Sequence, residues 1–130
     1  MATQLLSLRE QSPALFEEIE VLRHKDEEAR SKEITTARPA GQMSALYCDG
    51  IRELIKQHGI KSIIIAGLVT SGVVMRTTTS AADEGIVVTV LKDACADRNV
   101  SKHEVILEVL QSQAHVVGVE EAMREFAKVW

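Results

Sequence analysis

"SIIIAGLVTSGVVMRTTTSAADEG", residues 62–85, decides the fold. The β-branched run Ile63–Ile65 climbs to Gly67, and a continuous apolar run of this kind marks a strand covered on both faces. Thr70 or Ser71 can cap the helix that follows. That helix carries Thr77, Thr78, Thr79 and Ser80 in a row. These are poor helix formers, so tertiary packing is expected to hold it. Gly85 ends it. α/β proteins often present a nucleophile at such a strand–turn–helix junction. At the place where a thiol would stand, this chain has Val73.

Working outward, the alternation continues in both directions. Upstream, Asp49 can cap a helix with Ile51, Leu54 and Ile55 on one face, and Gly59 can end it. Downstream, "IVVTVL" (86–91) reads as a second buried strand and "KDACADRN" as a loop. Ser101 and Glu104 have the spacing of a capping box, which opens a helix through about Gln111. "AHVVG" is a short third strand. Val119, Ala122, Met123, Phe126 and Trp130 then line one face of a last helix. Helices and strands in strict alternation predict parallel strands joined by helical crossovers. Ligand sites in such sheets lie at the carboxyl ends of the strands. Here those ends are Gly67–Ser71, Asp93–Asp97 and Gly118.

Residues 1–43 differ in character and form a separate segment, helical and charged, ahead of an α/β domain at 44–130. Ser12-Pro13 has the form of a cap followed by Pro at the first helical position. Leu15, Phe16, Ile19 and Leu22 fall on one helical face. "HKDEEARSKE" (24–33) is a solvated helical run with acid–base pairs four apart. "TTARPAGQ" is a loop.

Composition narrows the function classes. The 130 residues suffice for one core, with 45% apolar and 26% charged residues and a net charge of −4. Aromatics make up 3% of the chain and no basic stripe occurs, so nucleic acid is not an expected partner. No apolar run is long enough to span a membrane. No signal peptide is legible, and the expected compartment is the cytoplasm. Cys48 and Cys95 do not make a disulfide framework. His24, His58, His103 and His115 show no ligand spacing, so neither a metal nor a cofactor is expected.

The motifs "IIIAGLVTSGVVMRTTTSAADEGIVVTVLKDACAD", "HEVILEVL" and "QAHVV" together resemble the isochorismatase-like family of cysteine hydrolases, over Ser44 to Val117. "SALYCDGIRELIKQHGIKS" is similar to the helix that precedes them. The resemblance implies a three-layer α/β fold, a parallel sheet with helices on both faces. It also implies an Asp–Lys–Cys triad, and a cis peptide at Leu68–Val69 that readies the turn for small carbonyl or carboxylate ligands. The triad is not found. Its Cys position matches Val73, its Lys position falls on Ala40 or Arg38, and the strand that carries its Asp has no counterpart in residues 1–43. The sheet is therefore expected to be incomplete, the chain shortened at its N-terminus. The edge of strand 62–66 is expected to be bare, or covered by "FEEIEVL" or by a partner.

Three other chemical candidates remain. Cys95 could serve as a displaced nucleophile with His103 as base, but Asp93 and Asp97 beside it raise a thiol pKa rather than lower it. Thr70 and Ser71 are nucleophiles by location, with no base to name, and caps by default. Cys48 reads as structural. The function expected is that of a catalytically impaired family member, a small-molecule-binding or assembly subunit using Leu68, Val69, Thr70, Ser71 and Gly72. A homo-oligomer or a partner α/β subunit is expected with it. The alternative is a hydrolase of a small carbonyl, amide or enol-ether metabolite, using water or a non-standard nucleophile. A third reading is a degenerate product without activity.

Overall fold

Val88 and Val90 are fully buried at the centre of a three-stranded parallel sheet, in the computed structural model that describes residues 36–129. The readings of Ser12–Glu33 and of Trp130 lie outside the described residues. Strand β1 (Ser62–Leu68) pairs with β2 (Val87–Ala96), Ser62 opposite Val87 through Ile65 opposite Val90. Strand β3 (His115–Val117) lies on the other side of β2, with Thr89 opposite His115. The order β1-β2-β3 makes β2 the central strand.

Helices α1 (Ile51–Gln57), α2 (Met75–Asp83), α3 (Val100–Leu110) and α4 (Val119–Ala127) separate and follow the strands. Leu46, Val74, Ala81 and Leu110 join Ile65, Val88, Val90 and Cys95 in one core, with Ile51 and Ile55 of α1 against it. This core covers one face of the sheet. On the other face, Ala122 and Phe126 of α4 lie against Thr89 and Val117. The parallel sheet with helices on both faces stands as expected, and among the described residues the sheet has three strands, which fits the expected incompleteness.

Four local expectations are corrected. β1 is not covered on both faces: Ile65 is 9% exposed, but Ile64 is 52% and Leu68 is 69%. Among the described residues β1 is an edge strand, and α4 packs on the second face beside Thr89 of β2 and Val117 of β3. β2 runs past Leu91 to Ala96, because a register shift lets Gly67 pair with Cys95 and Leu68 with Ala96. The loop therefore starts later than the sequence implies. The caps also move by a residue or two. Gly50, at φ 78°, precedes α1 in place of Asp49, a left-handed conformation that glycine adopts without strain. Asn99, accepting from the Lys102 N–H, caps α3 in place of Ser101. The apolar stripe of α4 is only half used, since Ala122 is buried while Val119 and Met123 are exposed.

The hydroxyl-rich α2 is held as expected. Thr77 and Thr78 are buried, and the Thr77 hydroxyl accepts the Ala45 N–H at 2.8 Å. The preceding turn, Ala45–Tyr47, is capped by the Ser44 side chain. No described helix is long and apolar enough to cross a membrane.

Candidate functional site

The junction between β1 and α2 is a single wide turn. Leu68–Val69 is a cis peptide, and Thr70–Val74 forms a π-helical turn ahead of α2. Val69 precedes the turn with no side-chain cap, so neither Thr70 nor Ser71 is the cap. Gly72 is packed so closely that a Cβ there would lie 3.0 Å from Val69 Cγ2 and 3.2 Å from Met43 Cε.

Both hydroxyls find partners that the linear sequence does not pair. Thr70 is fully buried, and its Oγ1 lies 2.7 Å from His103 Nδ1 in the first turn of α3. Ser71 donates its backbone N–H to Asp97 Oδ2 at 2.8 Å and its hydroxyl to the same oxygen at 2.5 Å. Asp97 Oδ1 accepts the Asn99 N–H at 3.2 Å. The Ser71 hydroxyl, with the Ser71 and Asn99 N–H groups, holds the Asp97 carboxyl at about 2. A carboxylate so acidic takes a proton poorly, so it clamps Ser71 rather than activating it. Parallel topology places the loop after β2 beside the turn after β1, and that rule is the signal by which both pairs could have been found.

The Cys95 candidate does not assemble. Cys95 is buried on β2 opposite Gly67. Burial pushes its thiol up, a backbone N–H from Gly67 opposes this, and the Asp93 charge adds to the rise. His103 Nδ1 faces Thr70, not Cys95. Asp93 serves a structural end, because its Oδ1 accepts the Val119 N–H at 2.9 Å. It thereby caps α4, whose own cap residue Gly118 has no side chain.

Val73 is half-buried in an apolar groove of about 320 Å³ between α1, β1 and the start of α2. Ile51, Leu54, Ile55 and Ile63–Ile65 line it, and among the described residues no acid, base or cation does. Thr77, the one polar wall residue among those described, is occupied with Ala45. Of the two positions that match the Lys role, Arg38 donates to the Met43 carbonyl at 3.1 Å, and Ala40 is exposed. On the far side of the turn, Ser71, Asn99, Ser101, Lys102, Val105 and Ile106 line an open groove of about 510 Å³. Among the described residues, no cluster of His, Cys, Asp and Glu could hold a metal ion.

With this geometry in place, the comparison with known proteins is decisive for the family. The isochorismatase domain model matches residues 4–121. The chain belongs to the isochorismatase family. The match starts well before Ser44, where the legible motifs begin, and so takes in most of the N-terminal segment. Among solved structures, the chain is similar to YcaC from Pseudomonas aeruginosa, determined with hexane-2,5-diol and covalent acrylamide. That likeness has 29% identity and a TM-score of 0.62 over 70% of this chain and 45% of that one. It is also similar to an isochorismatase-like hydrolase from Alkaliphilus metalliredigens, at 25% identity and a TM-score of 0.57, over 59% of this chain and 43% of that one. The nicotinamidase PncA from Bacillus subtilis shares the fold at 24% identity and a TM-score of 0.51, over 52% of this chain and 39% of that one. This isochorismatase-family chain thus spans less than half the length of each of the three. No curated protein sequence matches it.

Proposed function

We propose that this chain is a non-hydrolytic member of the isochorismatase family, a subunit for small-molecule binding or assembly. One observation carries the reading: Val73 occupies the position that the resemblance gives to a nucleophilic thiol, and among the described residues its groove is lined by no ionisable side chain. A thiol ester or tetrahedral intermediate needs a nucleophile and a base within hydrogen-bond reach, and among the described residues neither lines that groove. The groove beside Ser71 is lined by the cation Lys102 and by apolar walls at Val105 and Ile106. That combination suits a small carboxylate or carbonyl compound with an apolar body.

The test is calorimetric titration of the full chain with nicotinate and nicotinamide, small ring compounds of the class that the Bacillus neighbour's name implies. Binding of nicotinate is expected, with Lys102→Ala weakening it about tenfold, the size of a lost charge-assisted hydrogen bond. Equal binding by both proteins would remove Lys102 from the site. No binding to either would leave assembly as the only function in this reading.

A second reading keeps a hydrolase. Ser71 is a hydroxyl bonded to a carboxylate at 2.5 Å, at the carboxyl end of a strand. The low Asp97 value weighs against it, since the base must take the serine's proton.

A further inference from the structure

Asp49-Gly50 is the one place in the 130 residues where a glycine follows an aspartate or an asparagine. Both residues are exposed, in the turn that leads into α1. The backbone of Asp49 is held on either side. Its N–H donates to the Ala37 carbonyl at 3.4 Å, and its carbonyl accepts the Thr36 hydroxyl at 2.8 Å. Among the described residues, neither the Asp49 carboxyl nor the Gly50 N–H is engaged in a hydrogen bond. A Cβ built on Gly50 would meet nothing within 4 Å. The other described aspartates are placed differently. Asp93 accepts the Val119 N–H, and Asp97 accepts the Ser71 and Asn99 N–H groups. Asp83 ends α2, and the N–H of the next residue, Glu84, donates to the Ser80 and Ala81 carbonyls.

We propose that Asp49-Gly50 is a site of spontaneous isoaspartate formation in the folded chain. Bonding the backbone nitrogen of Gly50 to Asp49 Cγ closes a five-membered ring. A side chain on the second residue obstructs that closure, and glycine has none. The Gly50 nitrogen attacks Cγ of the protonated carboxyl. The N–Cγ bond forms, the Cγ–OH bond breaks, and the hydroxyl leaves as water with the amide proton. The succinimide then takes up water at one of two carbons. Addition at Cγ breaks the N–Cγ bond and restores aspartate. Addition at the backbone carbonyl carbon breaks that carbon's bond to nitrogen, and the chain then runs through Cβ and Cγ. Nothing is oxidised or reduced, and the net charge is unchanged, since one carboxylate replaces another. The oxygen that accepts the Thr36 hydroxyl becomes part of the new free carboxylate. One extra backbone carbon enters between Cys48 and Ile51, where the Cys48 carbonyl accepts the Ile51 N–H at 3.2 Å. Ile51 and Ile55 of α1 pack against the core, so the change bears on how α1 is seated.

The inference goes beyond the proposed function and does not rest on it. The full chain is incubated for several weeks at mildly acid pH, folded and in urea, and then digested with trypsin. An isoaspartyl carboxyl methyltransferase with radiolabelled S-adenosylmethionine then transfers its methyl group to each isoaspartyl carboxylate in the peptides. The tryptic peptide 33–52 holds Asp49 as its one aspartate, because Arg38 precedes Pro39 and resists cleavage. This peptide is expected to carry most of the label from the folded chain, in an amount that rises with incubation time. Asp49→Glu keeps the charge at an exposed position but would require a six-membered ring. With circular dichroism unchanged, it is expected to lose the label from this peptide. An unlabelled peptide 33–52 from the folded chain would overturn the proposal, and so would label there from the urea sample alone. Label retained by Asp49→Glu, or spread evenly over the aspartyl peptides, would overturn it as well. None of these outcomes depends on a ligand at the turn after β1.

Discussion

Asp97 accepts hydrogen bonds from the Ser71 hydroxyl, the Ser71 N–H and the Asn99 N–H. These donors favour the charged carboxylate, and its value falls from an ordinary 3.8 to about 2 in the fold. A depressed folded-state value contributes stability that is present above the unfolded value and is lost as pH falls through the folded one. Asp97→Asn should therefore lower Tm by its full amount above about pH 4, with the gap to wild type closing as pH approaches 2. A gap that stays constant over that window would show that the turn does not depend on the carboxylate charge. The two thiols give a second test. Buried Cys95, its thiol pushed up, should react with iodoacetamide at pH 7 at least ~10-fold more slowly than half-buried Cys48. Peptide mass mapping over time distinguishes them, and faster labelling of Cys95 would reopen it as a nucleophile. The sequence already warned against Cys95, because two neighbouring carboxylates are visible in "DACAD". It did not reveal that His103 faces Thr70 or that Asp97 holds Ser71, since each pair joins residues 26 or more positions apart.

Helix α2 shows what tertiary packing can override. Its run of threonines is unfavourable alone, yet Thr77 is bonded and Thr78 is fully buried. Among the described residues the Thr78 hydroxyl has no hydrogen-bond partner. A buried orphan hydroxyl costs about 1–3 kcal/mol, and valine has nearly the same shape. Thr78→Val should raise stability by about 1 kcal/mol in a urea titration, and a loss of stability would point to a partner for that hydroxyl. In α3 the apolar residues divide by face. Leu110 is fully buried, so Leu110→Ala should cost about 2–5 kcal/mol, whereas Val109→Ala on the exposed face should change little. Equal losses would misplace the helix face. Elements of this length were legible in their order and centres because periodicity and β-branching survive any tertiary context. Their caps were not: Asp49 and Gly50, or Asn99 and Ser101, are near neighbours of capping type, and only the backbone chooses between them. The exposure of Ile64 was equally hidden, since a β-branched run reads the same in a central strand and at an edge.

At the scale of the whole molecule, the alternation of helices and strands fixes the parallel order, and parallel order fixes where the strand ends converge. That convergence brings the β1–α2 turn, the end of β2 and the start of α3 together, and it is retained here. The proposed non-hydrolytic role rests on the chemistry that the described residues place on it. Val73 sits in an apolar groove, the hydroxyls are bound to His103 and Asp97, and Cys95 is buried. A family scaffold and its reactive groups are separable, because packing needs shape while catalysis needs particular atoms at particular distances. The most direct measurement is ammonia release from nicotinamide and pyrazinamide by the full chain, run with and without prior treatment by iodoacetamide. No release above the protein-free blank is predicted in either sample. Release that iodoacetamide abolishes would establish a thiol catalyst, release that survives it would establish a serine or water mechanism, and either would contradict a non-hydrolytic subunit.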